Sequence, residues 1–198
     1  MSKNIQFWNQ KHEDSDNWWL SDTSLKEVLT YHHLAENDFR DRTVLEIGIG
    51  TGRMSREIKN LGCILYCCDI SDKALDRVKD IADQTFLTED IKDVPPVDIA
   101  ICHLVFQHCD NNEIFRILND VNLTAQGTLS FEFPSYDLYQ QDEAFRKLVE
   151  DGSHFFRDVL TMQRIVAASN KEVTSVFTLK WRDDHDLTSN FFKVKGKQ

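Results

Sequence analysis

Apolar positions along this chain keep two rhythms, short β-branched runs and stretches with a spacing of three to four, and the two alternate. The runs "TVLEIG" (43–48), "CILYCCDI" (63–70), "TFLTED" (85–90), "VDIAICHLVF" (97–106) and "GTLSFEF" (127–133) read as buried strands. Ahead of and between them, "SLKEVLTYHHLAEN", "RMSREIKNLG", "DKALDRVKDIA" and "NEIFRILNDVN" read as helices. Ser24 with Glu27 forms a capping-box pattern, Gly62 closes the second helix, and Ser71 or Asp72 caps the third. Beyond Pro134, "DEAFRKLVE" and "VLTMQRIVAAS" read as two more helices, followed by strands in "EVTSVFTLKW" and "NFFKVKG". With no long crossover between them, that last pair is antiparallel. Strands alternating with helices predict an α/β fold, a doubly wound and mostly parallel sheet with helices on both faces. Its ligands belong at the carboxyl ends of the strands.

Composition narrows the functional classes. A chain of 198 residues builds one well-buried domain. No apolar run approaches the roughly 20 residues of a membrane helix, and the start "MSKNIQFWNQKHEDSDNWW" lacks the apolar core of a signal peptide. We therefore expect a cytoplasmic protein without a membrane association. The 33 acidic against 23 basic residues give a net charge of −10 with no basic block, which repels a phosphate backbone and argues against nucleic acid as a partner. Cys63, Cys67, Cys68, Cys102 and Cys109 are odd in number and form no matched CxxC pairs, so they read as small apolar residues in a reducing compartment.

The stretch "VLEIGIGTGRMS" (44–55) holds the most chemistry. Glycine serves where a strand turns sharply into a helix and where a ligand must approach backbone closely. Gly48, Gly50 and Gly52 do not complete a dinucleotide fingerprint, which would need glycine where Arg53 stands, and no Walker A ending follows. Glu46 lies two positions before the first glycine, where a carboxylate repels a pyrophosphate and suits a cationic amine. Asp69, at the end of the second strand, can accept from both hydroxyls of a ribose. Asp90, at the end of the third, can take a proton donor of a purine while its apolar neighbours hold the ring faces. Successive carboxylates at strand ends point to a nucleoside, although each alone also suits a helix cap or turn.

In order and spacing, "VLEIGIGTGRMSREI", "LYCCDIS", "FLTEDI" and "VDIAICHLVFQH" resemble the motifs of class I S-adenosylmethionine-dependent methyltransferases. The resemblance covers residues 43–133 well and the rest in outline. It implies a seven-stranded sheet of order 3-2-1-4-5-7-6 with strand 7 antiparallel. It further implies that Gly48, Gly50 and Gly52, with Thr51 and Arg53, line the methionine moiety of S-adenosylmethionine and later of S-adenosylhomocysteine. Glu46 would lie near the amino group, Asp69 with Ile70 at the ribose, Asp90 with Ile91 at the adenine, and His103 within reach of cofactor or acceptor. On this reading 1–42 is a helical cap or lid, 43–133 the cofactor-binding core, and 134–198 the acceptor-side helices and last two strands of one domain.

Methyl transfer from a sulfonium needs alignment and, for a hydroxyl acceptor, removal of a proton. His108 is the first choice for a base and His103 the second, both after strand four; the histidines favour oxygen over nitrogen as the methylated atom. Trp19, Tyr136, Tyr139, His154 and Arg157 are candidates for contact with a small-molecule acceptor, and "FW" (7–8) and "WW" (18–19) for a lid, or for simple packing of the N-terminal segment. Some related O-methyltransferases hold a metal with two glutamates where this chain has Leu104 and Gln107, so no metal is expected. The Asn/Asp-Pro-Pro-aromatic loop of adenine-methylating enzymes is replaced by His103-Leu-Val-Phe. A non-catalytic S-adenosylmethionine-binding module is the alternative, and a nicotinamide oxidoreductase the more distant one.

Overall fold

The computed structural model describes residues 3–13, 23–135, 143–150, 154–181 and 187–197. Its strands are β1 (Thr43–Ile47), β2 (Ile64–Asp69), β3 (Gln84–Leu87), β4 (Val97–Cys102), β5 (Leu123–Pro134), β6 (Lys171–Trp181) and β7 (Leu187–Gly196). They form one sheet in the order β3-β2-β1-β4-β5-β7-β6. The first five run parallel, β7 runs antiparallel to both β5 and β6, and the register places Val44 beside Leu65 and Ile99. The order and the antiparallel β7 are those the motifs imply.

Seven α-helices are described: α1 (Lys3–Glu13), α2 (Leu25–Tyr31), α3 (Arg53–Lys59), α4 (Asp72–Asp76), α5 (Asn111–Asp120), α6 (Glu143–Glu150) and α7 (Val159–Ala168). Capping decides where several begin. Ser24 and Glu27 complete the expected box at α2, Asp110 and Glu113 make another at α5, and Ser71 and Asp158 cap α4 and α7. The pleat then divides the core between the two faces of the sheet. Leu45, Ala100 and Cys102 join Ile114, Leu118 and Val166 on one face, while Val44, Ile99 and Ile101 join Val28, Leu29 and Ile58 on the other. Each fully buried Leu, Ile or Phe contributes about 1.5–3 kcal/mol, so helices this short are held by the sheet rather than by their own propensity. All five thiols are free, and four of them are buried.

Four elements end elsewhere than the pattern predicts. The helix from Ser24 stops at Tyr31, where His32 caps it and His33 takes a positive φ of 50°. The helix expected over 72–82 ends at Asp76 and continues as tight turns, with Arg77, Val78 and Ile81 bonding back three residues. Apolar spacing persists through those turns, which is why the pattern looked continuous. Strand β3 ends at Leu87, so Asp90 lies in a 3-10 turn (Thr88–Asp93). Strand β4 ends at Cys102, because Leu104 enters the left-handed region with φ 58°.

Candidate active site

The turn from β1 into α3 is built on three left-handed glycines, Gly48, Gly50 and Gly52, with φ of 76°, 57° and 73°. Two of them are required by packing. A Cβ at Gly48 would stand 2.2 Å from Val105 Cγ2, and one at Gly52 would stand 2.5 Å from Val78 Cγ1. A Cβ at Gly50 would meet nothing within 4 Å. The loop is thus pinned on both sides and open at its centre, a cradle that a side chain would fill. Thr51 is half-buried there, and Arg53 pairs with Glu57 at 2.7 Å.

Two buried carboxylates frame this cradle. Glu46 has 1% of its surface exposed, its Oε2 has no hydrogen-bond partner among the described residues, and burial pushes its pKa up to about 8. The Ser55 hydroxyl softens that shift, yet it falls short of hydrogen-bond geometry. Asp69 accepts from the backbone N–H of Gly50 at 3.3 Å and of Ser71 at 2.9 Å. Burial raises its pKa to about 6 against the opposing pull of these bonds. An uncompensated buried acceptor is costly, and a ligand ammonium beside Glu46 would relieve it. These residues fit an aminoacyl-bearing nucleoside such as S-adenosylmethionine. Ile70 is half-buried after Asp69 and Asp90 is exposed. Ile91 is fully enclosed in the core, so its side chain is not free to line a ligand site.

The other end of the cleft, after β4 and β5, holds polar side chains from distant parts of the chain. His103 follows β4 with 8% of its side chain exposed. Its Nδ1 lies 3.2 Å from His32 Nε2 and 3.7 Å from Glu132 Oε1. His32 Nδ1 in turn lies 2.8 Å from Ser130 Oγ. Burial, then the Arg53 charge, lowers the His103 pKa to about 3; burial raises that of Glu132 to about 7. Glu132 accepts from the Leu104 N–H and so holds the left-handed residue in place. Neither His32 nor Glu132 follows from motif reading. The usable signal for Glu132 was a lone acid inside the apolar run "LSFEFP".

His108 sits in a 3-10 turn (Phe106–His108) within an aromatic cluster. Its ring centroid is 4.8 Å from Trp8 of α1 and 4.4 Å from His154, and Gln107 Nε2 approaches its Nε2 at 3.1 Å. Burial and the neighbouring His108 bring the His154 pKa down to about 4. Of the two aromatic pairs, "FW" meets His108 through Trp8, and "WW" lies outside the described residues. The same helix touches the region after β2, where Ser71 Oγ donates to Asn9 Oδ1 at 2.5 Å and Arg77 donates to the His12 carbonyl at 2.7 Å.

Arg157 corrects an expectation. Instead of reaching toward an acceptor it is buried, donating to Asn111 Oδ1 at 2.6 Å, to the carbonyls of Phe106 and Phe155 at 3.1 and 3.2 Å, and to that of Cys109. A guanidinium with its donors spent on carbonyls staples the 106–109 turn to the segment before α7. Trp19, Tyr136 and Tyr139 lie outside the described residues.

Comparisons with known proteins agree with this geometry. Residues 44–124 match the family model described as a methyltransferase domain. No curated protein matches the chain. Among solved structures, magnesium protoporphyrin IX methyltransferase from Synechocystis PCC 6803 with bound S-adenosylhomocysteine is 14% identical, covers 98% of both chains and has a TM-score of 0.66. The N-methyltransferase NodS from Bradyrhizobium japonicum WM9, with the same ligand, is 15% identical over 100% of both chains, TM-score 0.69. The 1,6-didemethyltoxoflavin-N1-methyltransferase of Burkholderia thailandensis is 11% identical over 98% of this chain and 88% of that one, TM-score 0.69. At such identities these structures establish the fold, and the family match lies on the segment that carries the glycine loop, Asp69 and Asp90. Over residues 44–124 the chain therefore carries a methyltransferase domain, in the fold shared by these S-adenosylmethionine-dependent methyltransferases.

Proposed function

We propose that this chain methylates a small-molecule acceptor, on oxygen in preference to nitrogen, using S-adenosylmethionine held by Glu46, the Gly48–Gly52 loop and Asp69. The observation that carries this reading is the pair of histidines after β4, one on the buried Glu132 and the other beneath Trp8 of the chain's own first helix. A cleft flanked so closely by α1 suits a metabolite better than a polymer. The net charge of −10 supports the same choice. The similar structures named above act, by their names, on small molecules, and two of them are N-methyltransferases.

When bound, S-adenosylmethionine supplies a methyl group on a positively charged sulfur that leaves readily. The chain's own residues then have two tasks: to align the acceptor and to receive its proton. We assign the receipt of a proton from an acceptor hydroxyl to His103 or His108. Asp90 with Ile70 is the proposed adenosine side. His154 lies against His108, and we assign both to the acceptor side.

The test begins with calorimetry of S-adenosylhomocysteine and of NADH, followed by methyl-transfer assays on a metabolite library. We expect binding of the first ligand, none of the second, and turnover with a hydroxyl-bearing acceptor. Removing the residue that receives the proton should lower kcat about 10²–10⁴-fold with S-adenosylhomocysteine affinity retained. His103→Ala and His108→Ala measured side by side identify it. Near-wild-type turnover in both variants would remove base-assisted O-methylation; binding without turnover across the library would make the chain a binding module.

A further inference from the structure

Ser130, His32, His103 and Glu132 meet behind the acceptor end of the cleft, joining α2, β4 and β5 across 98 residues of chain. We propose that Glu132 and His103 form one proton-holding couple, with His32 and Ser130 as positioning residues that fix the His103 ring, so that the acceptor's proton enters at His103 Nε2 and the Nδ1 proton moves to Glu132 Oε1. This rests on the methyl-transfer reading above.

The argument is one of tautomers. A neutral imidazole has one donor and one acceptor nitrogen. With its proton on Nδ1, facing Ser130 Oγ at 2.8 Å, His32 presents Nε2 as an acceptor to His103 Nδ1 at 3.2 Å. His103 then carries its proton on Nδ1, and Nε2 becomes its basic atom. An ionised Glu132, with Oε1 3.7 Å from the same Nδ1, favours that same tautomer. The Nδ1 proton, directed at His32 Nε2 in this arrangement, must turn to Glu132 Oε1 as the carboxyl closes by about 1 Å, and the ring must tilt to bring its enclosed Nε2 to the acceptor.

The proton count closes. The acceptor atom gains a bond to the methyl carbon and gives up its bond to hydrogen, while the former carbon–sulfur pair stays on sulfur. One proton is released. His103 takes it on Nε2 and yields the Nδ1 proton to Glu132, so the ring ends neutral, as it began, and the carboxyl ends protonated. Burial makes the reverse placement poor, since it brings the ring down to about 3 and the carboxyl up to about 7. The surrounding charges act in the same sense. Arg53 at the start of α3 disfavours a charged His103, and Lys193 on β7, with His103, disfavours a charged His32. The groups that face Glu132 are the Leu104 N–H, the Ser189 hydroxyl and the Cys102 thiol, which burial keeps protonated.

The couple is read without any acceptor. Protein labelled with 15N-histidine and 13C-glutamate, with and without S-adenosylhomocysteine, is titrated between about pH 5.5 and about 8.5. We expect His103 to stay neutral throughout, its two nitrogen shifts moving with a midpoint near 7 shared by the Glu132 carboxyl, and the Nδ1–H form dominating above it. In E132Q that midpoint disappears while S-adenosylhomocysteine affinity is unchanged; in H32Q the tautomers mix. A flat His103 response in the wild type, or a midpoint that survives in E132Q, overturns the proposal. Should E132Q fail to fold, the wild type decides alone, by whether ring and carboxyl share one midpoint. Failure of the ligand to bind would count against the cofactor reading and leave the ligand-free titration valid.

Discussion

On the β1–β2 side of the cleft, Asp69 is held by the backbone of Gly50 and Ser71, and the loop's shape is set by three left-handed glycines within five residues. On the β4–β5 side, His103 is held by side chains, His32 from 71 positions earlier and Glu132 from the next strand. A site made of backbone tolerates change in most side chains and fails when the chain's path is altered. A site made of side chains keeps its path and fails one contact at a time. The first arrangement suits a ligand that never changes, the second one that evolution must be free to replace.

The sharpest way to break this contrast is at the glycines. Gly48→Ala forces a Cβ against Val105 in a left-handed backbone and should destabilise the fold by about 2–4 kcal/mol. Gly50→Ala meets open space and should cost only about 1 kcal/mol in stability while weakening S-adenosylhomocysteine roughly tenfold or more. Thermal melts beside calorimetry read both numbers, and equal effects on stability would mean the loop is not pinned at one end and open in the middle. Next comes Asp69→Ala, expected to cost about 1.5–3 kcal/mol of ligand affinity through lost charge-assisted bonds; unchanged affinity in a folded variant would remove the ribose assignment.

The pH dependence of binding is the next effect in size. Glu46 is protonated at neutral pH in the free protein, since burial holds it at about 8. A ligand ammonium favours the ionised carboxylate, so binding must expel a proton. Above about pH 7, where Asp69 at about 6 is already ionised, affinity should therefore rise with pH up to about 8, by at most about tenfold, or 1.4 kcal/mol, per unit, and level off until the ammonium loses its own proton. Calorimetry in buffers of different ionisation enthalpy measures the released proton directly, and in Glu46→Gln both the release and the slope should vanish. The smallest effect belongs to the acceptor side. Trp8→Ala removes one edge contact on His108, worth about 0.5–1.5 kcal/mol, and should raise the acceptor KM while leaving S-adenosylhomocysteine affinity nearly intact; the opposite split would place α1 on the cofactor alone.

What could be read from the sequence follows the same division. The strands and the glycine turn announce themselves because they depend on local spacing, Glu46 and Asp69 fall beside that turn, and the sheet order came with the motifs that contain them. Asp90 and the helix after Ser71 were displaced because an apolar rhythm does not distinguish a helix from a run of tight turns. Arg157 was misjudged because nothing local tells whether a guanidinium will meet a ligand or four acceptors of its own chain. His32 and Glu132 belong together only through the sheet order, which puts β4 beside β5 and brings the end of α2 over them. No window along the chain contains that neighbourhood.

Helix α1 also imposes a sequence of events in time. Asn9 rests on Ser71 beside the end of β2, and its neighbour Trp8 rests on His108 beyond β4, so one helix leans on both halves of the cleft at once. Lifting it to exchange the spent nucleoside also dismantles the wall against the acceptor. We therefore expect the two ligands not to come and go independently, and product-inhibition kinetics to show the methylated product leaving before or together with the nucleoside. On such a path we expect kcat to be set by how often eleven residues of helix let go rather than by the transfer of the methyl group, and so to be insensitive to deuteration of that methyl.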